Sequence, residues 1–385
     1  MSGFVPGNRV DLLECGAEYF PALCAAIDAA QFEVHLQTYI FAGDATGVMV
    51  AAALSRAAQR GVQVYVIVDG FGSRELLPDL ILALQDAGVN WLVYRPEPKS
   101  LLFRKHRLRR LHRKVSIIDA KIAFVGGINI IDDMDTPGQV PPRFDYAVRV
   151  EGPILATIVP DVRRLWSLVH WSQTKGGRHI QAYADMTTVP VGQVSVAFLV
   201  RENLRHRRDI EQAYLAAIAN ARSNILIANA YFLPGIRFRR ALLDAAARGV
   251  TVTLLLQGRI EYRLLHYASR ALYGQLLAGG VQICEYHQSF LHAKVAVVDE
   301  EWATVGSSNI DPFSLLLARE ANLAIAGYEF AQTLQHSLRA AMLRGGEMVL
   351  LDGWDQRPWY QRVLPKLALN LVRSLMGIVG YGKAW

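Results

Sequence analysis

The chain has 385 residues, of which 52% are hydrophobic and 19% charged, with a formal net charge of +7. That balance excludes a disordered chain and supplies enough apolar material for two ordinary domains or one large pseudo-symmetric one. The positive excess points to an anionic partner, whether nucleic acid, an anionic bilayer or a phosphorylated small molecule.

Cys15, Cys24 and Cys284 are scattered and form no Cys-x-x-Cys. They read as reduced thiols of a cytoplasmic compartment, with no zinc site. Met1 to Arg9 lacks a basic-then-apolar pattern, so no signal peptide is expected, and no apolar run approaches the roughly 18 residues of a membrane span.

In chain order, Val10 to Ala30 reads as a helix-rich lead-in, with Leu12, Leu13, Phe20, Leu23, Ala26 and Ile27 supplying apolar surface. Phe32 to Phe41 alternates as a strand, Gly43 to Gly47 turns, and the Ala-rich Val48 to Gln59 is helical, closed by Arg60-Gly61. A strand over Val62 to Asp69, a helix over Glu75 to Ala87 and a strand around Trp91 to Tyr94 follow. The polar text from Gly176 to Pro190 reads as a linker. The second half replays the first: strand Asn224 to Ala228, helix Phe238 to Ala247, strand Val250 to Leu256, helix Leu264 to Leu277, strand Gln282 to Tyr286. Such alternation predicts an α/β fold of two pseudo-symmetric repeats, each a mixed, largely parallel sheet flanked by helices. The repeats span residues 1–175 and 190–345, with a basic amphipathic tail over 354–385.

Each half carries the same motif. His112, Lys114 and Asp119 are followed by Asn129, and His292, Lys294 and Asp299 by Asn309. In both copies Lys comes 2 after His, Asp 7 after and Asn 17 after, and an acid follows, Asp145 or Glu320. Val115 to Ile118 and Val295 to Val298 read as buried strands, on which residues two apart share a face. His and Lys therefore stand side by side, while Arg113 or Ala293 faces away. An imidazole beside an ammonium, near a Gly/Ser/Asn turn, suits a phosphate: Lys supplies charge, Asn amide donors, and His a nitrogen for nucleophilic or acid–base work. Asp119 and Asp299 complete the motif, but their odd offset turns them off the His face, toward structural hydrogen bonding.

The halves differ before the motif. Tyr94 precedes His112 by 18 positions and Tyr286 precedes His292 by 6, an excess of 18 − 6 = 12 residues. That stretch holds Lys99, Arg104, Lys105, Arg107, Arg109 and Arg110, interleaved with Leu101, Leu102, Phe103, Leu108 and Leu111. It reads as a solvated basic loop or as a lip that binds anionic groups. Ile131 to Pro142 reads as a surface loop near the site mouth. Arg201, Arg205, Arg207 and Arg208 cluster at the start of a helix reaching Asn220, as surface charge or an anion contact. In the tail, Leu364, Leu367, Ala368, Leu371, Val372, Leu375 and Ile378 recur at helical spacing opposite Lys366, Asn370, Arg373 and Gly377. Trp354, Trp359, Tyr360, Tyr381 and Trp385 bracket that helix, which either lies in a headgroup plane or packs on the protein body.

The duplicated motif resembles that of the phospholipase D superfamily. The text Phe-Val-Gly-Gly-Ile-Asn, Asp-Tyr-Ala-Val-Arg-Val-Glu-Gly-Pro and Ala-Asn-Ala-Tyr-Phe-Leu-Pro-Gly is most similar to bacterial cardiolipin synthases of the short, anchor-less type, over about Asn8 to Ala340. The resemblance implies one site between the halves, with the catalytic set His112, Lys114, Asp119, His292, Lys294 and Asp299. Asn129, Ser307 and Asn309 would bind phosphate, and Asp145 and Glu320 would orient the imidazoles. His112 takes the nucleophile's role and His292 the acid–base role. The motif's usual Gly-Ser-x-Asn is intact from Gly306 to Asn309, but Gly127 stands in the Ser position of the first copy.

The resemblance further implies a phosphatidyltransferase working at the cytoplasmic face of the bacterial inner membrane, with phosphatidylglycerol as anionic substrate and no cofactor or metal. A phosphodiesterase or endonuclease of the same superfamily, with water as acceptor, is the alternative; its nucleic-acid affinity would fall steeply with salt. The leucine-rich insertion and the amphipathic tail disfavour nucleic acid. A catalytically silent membrane-binding module is a third reading, opposed by two complete sets of polar residues.

Overall fold

The computed structural model describes residues 3–96, 109–136, 140–174, 189–202, 206–312, 314, 317–355 and 358–378. The first half consists of β1 (Val5–Glu14), α1 (Cys15–Ala29), β2 (Glu33–Thr38), α2 (Ala45–Gln59), β3 (Gln63–Asp69), α3 (Pro78–Asp86), β4 (Asn90–Tyr94), β5 (Lys114–Ile118), β6 (Ile122–Gly126), β7 (Tyr146–Glu151) and α4 (Leu155–Thr174). The second consists of β8 (Val194–Arg201), α5 (Asp209–Asn220), β9 (Asn224–Asn229), α6 (Ile236–Ala247), β10 (Thr251–Gln257), α7 (Arg263–Arg270), α8 (Tyr273–Ala278), β11 (Gln282–Tyr286), β12 (Lys294–Val298), β13 (Trp302–Gly306), β14 (Glu320–Ala326) and α9 (Tyr328–Gly345). After these come β15 (Gly346–Met348), α10 (Leu351–Asp355) and α11 (Trp359–Ile378).

The strands form one sheet in the order β15-β11-β10-β9-β12-β13-β14-β8-β1-β7-β6-β5-β2-β3-β4. Read outward from the β1–β8 pair, the two sides match strand for strand, with β15 added at one edge. The helical crossovers make β2-β3-β4 and β9-β10-β11 parallel, as strand–helix alternation requires. All other pairings between these named strands are antiparallel, so the sheet is mixed as expected but not largely parallel.

The reason is a hairpin that follows each motif. Strands β5–β6 and β12–β13 are joined by turns in which Asp119 and Ala120, or Asp299 and Glu300, take positive φ between 50° and 57°. Asp tolerates that left-handed conformation better than bulkier residues, so no glycine marks the turn.

A second correction concerns Val10 to Glu14, which extend β1 rather than begin a helix. Over Arg9 to Glu14 this strand pairs with β7, and near Val5 and Asn8 with β8, so it forms the seam between the halves. The predicted helix Leu264 to Leu277 is likewise two helices, α7 and α8. Arg201 ends β8 rather than starting a helix; it is buried and donates to the Ala318 carbonyl.

Three apolar layers hold the sheet. Helices α1 and α2 cover β2 and β3 through Leu23, Ile27, Val50 and Leu54. Helices α5 and α6 cover β9 and β10 through Ile218, Phe238 and Leu242. On the other face, residues of β5–β7 and β12–β14 join α4 and α9 in a single core shared by both halves. Burial of this size is the main favourable term fixing how the repeats sit together.

Helix α11 docks on the second half through Ala368, Val372 and Met376, all under 9% exposed. Its neighbouring stripe, Leu364, Leu367, Leu371 and Leu375, stays 40–59% exposed. The two tail readings thus divide between adjacent stripes of one helix. No described helix is long and apolar enough to cross a membrane. The basic stretch Lys99 to Leu108, Arg205, Tyr381 and Trp385 lie outside the described residues.

Candidate active site

Both histidines sit just before a sheet strand, and Lys114 and Lys294 are the first residues of β5 and β12. Those strands run antiparallel to β2 and β9, so their starts lie at the carboxyl ends of the parallel strands, where open α/β sheets form their sites. Each motif start is pinned across the seam. The His112 and Arg113 amides donate to the Arg319 carbonyl at 2.9 Å, and the His292 amide to the Phe144 carbonyl at 2.8 Å.

The side chains follow the same exchange. Nδ1 of His112 lies 3.0 and 3.1 Å from the two carboxylate oxygens of Glu320, an acid of the second half. Nδ1 of His292 lies 2.6 Å from Asp145 Oδ2, an acid of the first. Each carboxylate accepts the Nδ1 proton and leaves Nε2 of its imidazole bare.

Lys114 Nζ donates to the His112 carbonyl at 2.7 Å and stands 5.4 Å from the centre of the Tyr39 ring. Lys294 Nζ lies 2.8 Å from His292 Nδ1 and 3.6 Å from Asp145 Oδ2, and also donates to the His292 carbonyl. Tyr39 and Phe290 flank the imidazoles, Tyr39 at 4.9 Å from His112 and Phe290 stacked 6.0 Å from His292. Neither residue, nor Arg143 at 5.0 Å over Phe290, belongs to the motif; only their places beside it in the sequence could have signalled them.

Electrostatics favour neutral bases. Burial, then the Lys294 charge, lowers Lys114 to about 7. Lys294 is also lowered, chiefly by burial. Burial lowers His112, with Glu320 opposing, and lowers His292 well below its ordinary value, with the Lys294 ammonium acting in the same sense. Asp145 is raised to about 6 by burial. The crossed pairs His112–Glu320 and His292–Asp145 bring both motifs to one centre.

The remaining candidates divide. Asn129, 3% exposed, accepts from the Ile40 amide through Oδ1, which turns its NH2 end the other way. Asn309 is equally buried. Ser307, expected to bind phosphate, is fully buried, and its hydroxyl donates to Glu320 Oε2 at 2.5 Å, bracing the acid behind His112. Gly127 is explained by the same volume. A Cβ there would stand 2.4 Å from Asp145 Oδ1, so the shorter acid fills the space that Ser307 occupies in the other half.

Asp119 and Asp299 stand at the far ends of their strands, away from the imidazoles, as their odd offset from His leads one to expect. Asp119 accepts from the amides of Gln31, Phe32 and Glu33 at 2.8–2.9 Å. Asp299 accepts from those of Arg222, Ser223 and Asn224 at 2.7–2.9 Å, and these bonds hold it below the usual carboxylate range despite some desolvation. Both tie a hairpin to the start of the neighbouring parallel strand.

Two matched repeats in one sheet, with a His–Lys pair from each over a common centre, define a phospholipase D-like enzyme fold. A solved phosphatidylserine synthase from Haemophilus influenzae Rd KW20 has that fold with a TM-score of 0.71, covering 98% of this chain and 97% of its own, at 14% identity. A polyphosphate kinase from Porphyromonas gingivalis shares it more loosely, with a TM-score of 0.55 over 87% of this chain and 50% of its own. The family model described as "Cardiolipin synthase, PLD-like domain" matches residues 23–134 and 214–342. Cardiolipin synthase B of Salmonella typhi is 39% identical over 98% of this chain and 91% of its own, and that of Escherichia coli K12 is 40% identical over 97% and 90%. The major cardiolipin synthase of Bacillus subtilis is 30% identical over 94% of this chain and 74% of its own. The chain belongs to the cardiolipin synthase family, and is an enzyme of the phosphatidyltransferase class.

Proposed function

We propose that this enzyme makes cardiolipin from two molecules of phosphatidylglycerol at a membrane surface, through a covalent phosphohistidine. The exchanged pairs His112–Glu320 and His292–Asp145 carry this reading, because they supply two bare Nε2 atoms beside two buried ammonium groups. Nε2 of His112 attacks phosphorus while the bond to glycerol breaks, and His292, protonated as the phosphodiester's charge offsets its neighbours, hands its proton to the leaving oxygen. A hydroxyl of the second phosphatidylglycerol then forms the new P–O bond as the P–N bond breaks, returning its proton to His292. Lys114, Lys294, Asn129 and Asn309 offset charge on the non-bridging oxygens. No step calls for a metal.

The bare leucine stripe of α11, beside Lys366 and Arg373, supports peripheral contact with the membrane, in keeping with action on its cytoplasmic face. The repeat boundaries at 1–175 and 190–345 belong to the same proposal. The test is mass spectrometry of lipids formed by the purified protein on phosphatidylglycerol vesicles, with and without phosphatidylethanolamine. Cardiolipin is expected from phosphatidylglycerol alone; phosphatidic acid as the sole product would assign a hydrolase.

A further inference from the structure

The two halves match closely enough that their differences are informative, and one of them lies beside the start of the second motif. Asp69 and Gln257 occupy equivalent places, each ending the middle parallel strand of its half and paired in register with Tyr94 or Tyr286. Both hold the residue before the motif His: Asp69 Oδ2 accepts from the Leu111 amide at 2.8 Å, and Gln257 Oε1 from the Leu291 amide at 3.3 Å. There the likeness ends. The other oxygen of Asp69 accepts from the Phe71 and Gly72 amides and closes its own loop. Gln257 has an NH2 group in that place. Its oxygen is committed to an N–H, which fixes the orientation of the amide, and Nε2 is buried with no hydrogen-bond partner among the described residues. Such an orphan donor is costly and calls for an explanation.

A second asymmetry opens space at the same place. Phe41 and Phe232 make equivalent bridges to Ile130 and Ile310, so Tyr39 corresponds to Ala230. The Tyr39 ring fills the volume beside His112. Ala230 leaves the corresponding volume open, as a cavity also lined by Tyr231, Gln257, Glu261, Tyr262 and His266. The Tyr231 and Tyr262 rings meet edge to face at 5.5 Å along one wall. Glu261 also lines it, and burial of its carboxyl raises it to about 7, while the Ala230 amide donates to the Ala293 carbonyl at 3.0 Å, between His292 and Lys294.

We infer that this cavity seats the acceptor alcohol, with Glu261 as an acceptor for its hydroxyl and Gln257 as the group that selects a polyol. The inference rests on the phosphatidyltransferase reading and adds its acceptor site. A hydroxyl accepts from Gln257 Nε2 and donates to Glu261, and the aromatic wall covers the carbon chain of a glycerol unit. The adjacent hydroxyl is then the one whose oxygen takes phosphorus as the P–N bond breaks, its proton passing to the other imidazole. An ammonium headgroup has no lone pair to offer Gln257, so the pocket prefers glycerol to ethanolamine. A site built around a donor disfavours a ligand that cannot accept from it.

The test uses the full-length protein on phosphatidylglycerol vesicles with added glycerol or ethanolamine, reading the ratio of transfer product to phosphatidic acid. Gln257→Glu keeps an oxygen for the Leu291 amide and removes both donors, restoring the chemistry of Asp69. Its ratio with glycerol is expected to fall about tenfold, the size of one hydrogen bond. Glu261→Ala is expected to lower it in the same sense, and to lower transfer to ethanolamine at least as much, since a carboxylate also holds an ammonium. Unchanged ratios in both variants would overturn the acceptor site while leaving the transferase standing. Wild-type protein that forms no transfer product would overturn the transferase reading, and the acceptor site with it.

Discussion

Asp145 and His292 are 147 positions apart in the chain and meet at 2.6 Å, with the acid from one repeat serving the base of the other. His112 and Glu320, separated by 208 positions, repeat the arrangement with the halves exchanged. Neither repeat therefore contains a base held by its own acid. Asp145→Asn and Glu320→Gln each leave the imidazole in the wrong tautomer and are expected to lower kcat by about two to four orders of magnitude, as loss of the orienting acid does in other triads. KM for short-chain phosphatidylglycerol should change little. His112→Ala and His292→Ala should abolish turnover and leave vesicle binding intact; product from either would contradict the exchange mechanism.

The pairing of Gly127 with Asp145, and of Ser307 with Glu320, predicts that the combinations cannot be mixed. Gly127→Ser drives a side chain into the Asp145 carboxylate and should reduce kcat at least a hundredfold. Ser307→Ala only removes a donor to Glu320 and should cost about tenfold. Steady-state kinetics with thermal midpoints measured alongside decide the matter, and equal losses in the two variants would refute it.

Lys114 predicts a proton linkage. With its pKa at about 7 in the free protein, it is partly neutral above that value, and a bound phosphodiester favours its charged form. The bound pKa is thus the higher one, so binding takes up a proton, and affinity present below about pH 7 declines as pH rises through it. Calorimetry with a phosphodiester headgroup analogue, at about pH 8 in buffers of different ionisation heat, should show uptake that Lys114→Met reduces. Heat independent of the buffer would rule this out.

Asp119 predicts a loss of stability rather than of chemistry. Asp119→Ala strands the amides of Gln31, Phe32 and Glu33 and should cost about 2–4 kcal/mol in denaturant unfolding. The folded fraction should keep its kcat, and a large fall there would return Asp119 to the catalytic set.

The α11 leucines predict a separation of binding from folding. Leu367→Ser with Leu371→Ser should weaken vesicle partition about tenfold or more without moving the thermal midpoint, because both are more than half exposed. Val372→Asp, on the docked stripe, should lower the midpoint. Sedimentation with anionic vesicles reads the first effect.

The motif itself was legible because a strand's two-residue period puts His and Lys on one face whatever the fold around them. So were the βαβ units, whose helices and strands are long and strongly patterned. Val10 to Glu14 read as helix because this half-buried end of β1, paired with β7 alone, lacks clean burial alternation and runs directly into α1. The antiparallel hairpins were missed because Asp119 and Asp299 turn the chain without glycine. The exchange of acids was beyond reach of a single sequence: Asp145 lies nearer His112 in the chain, and only the shared core of β5–β7 and β12–β14 decides which imidazole it meets.

That core and the short β1–β8 contact join the two repeats. Severed repeats would accordingly be complementary fragments, each presenting a greasy face fitted to the other and each lacking a full proton relay. Coexpressed as separate polypeptides they should reconstitute activity that neither shows alone, as subunits of a heterodimer.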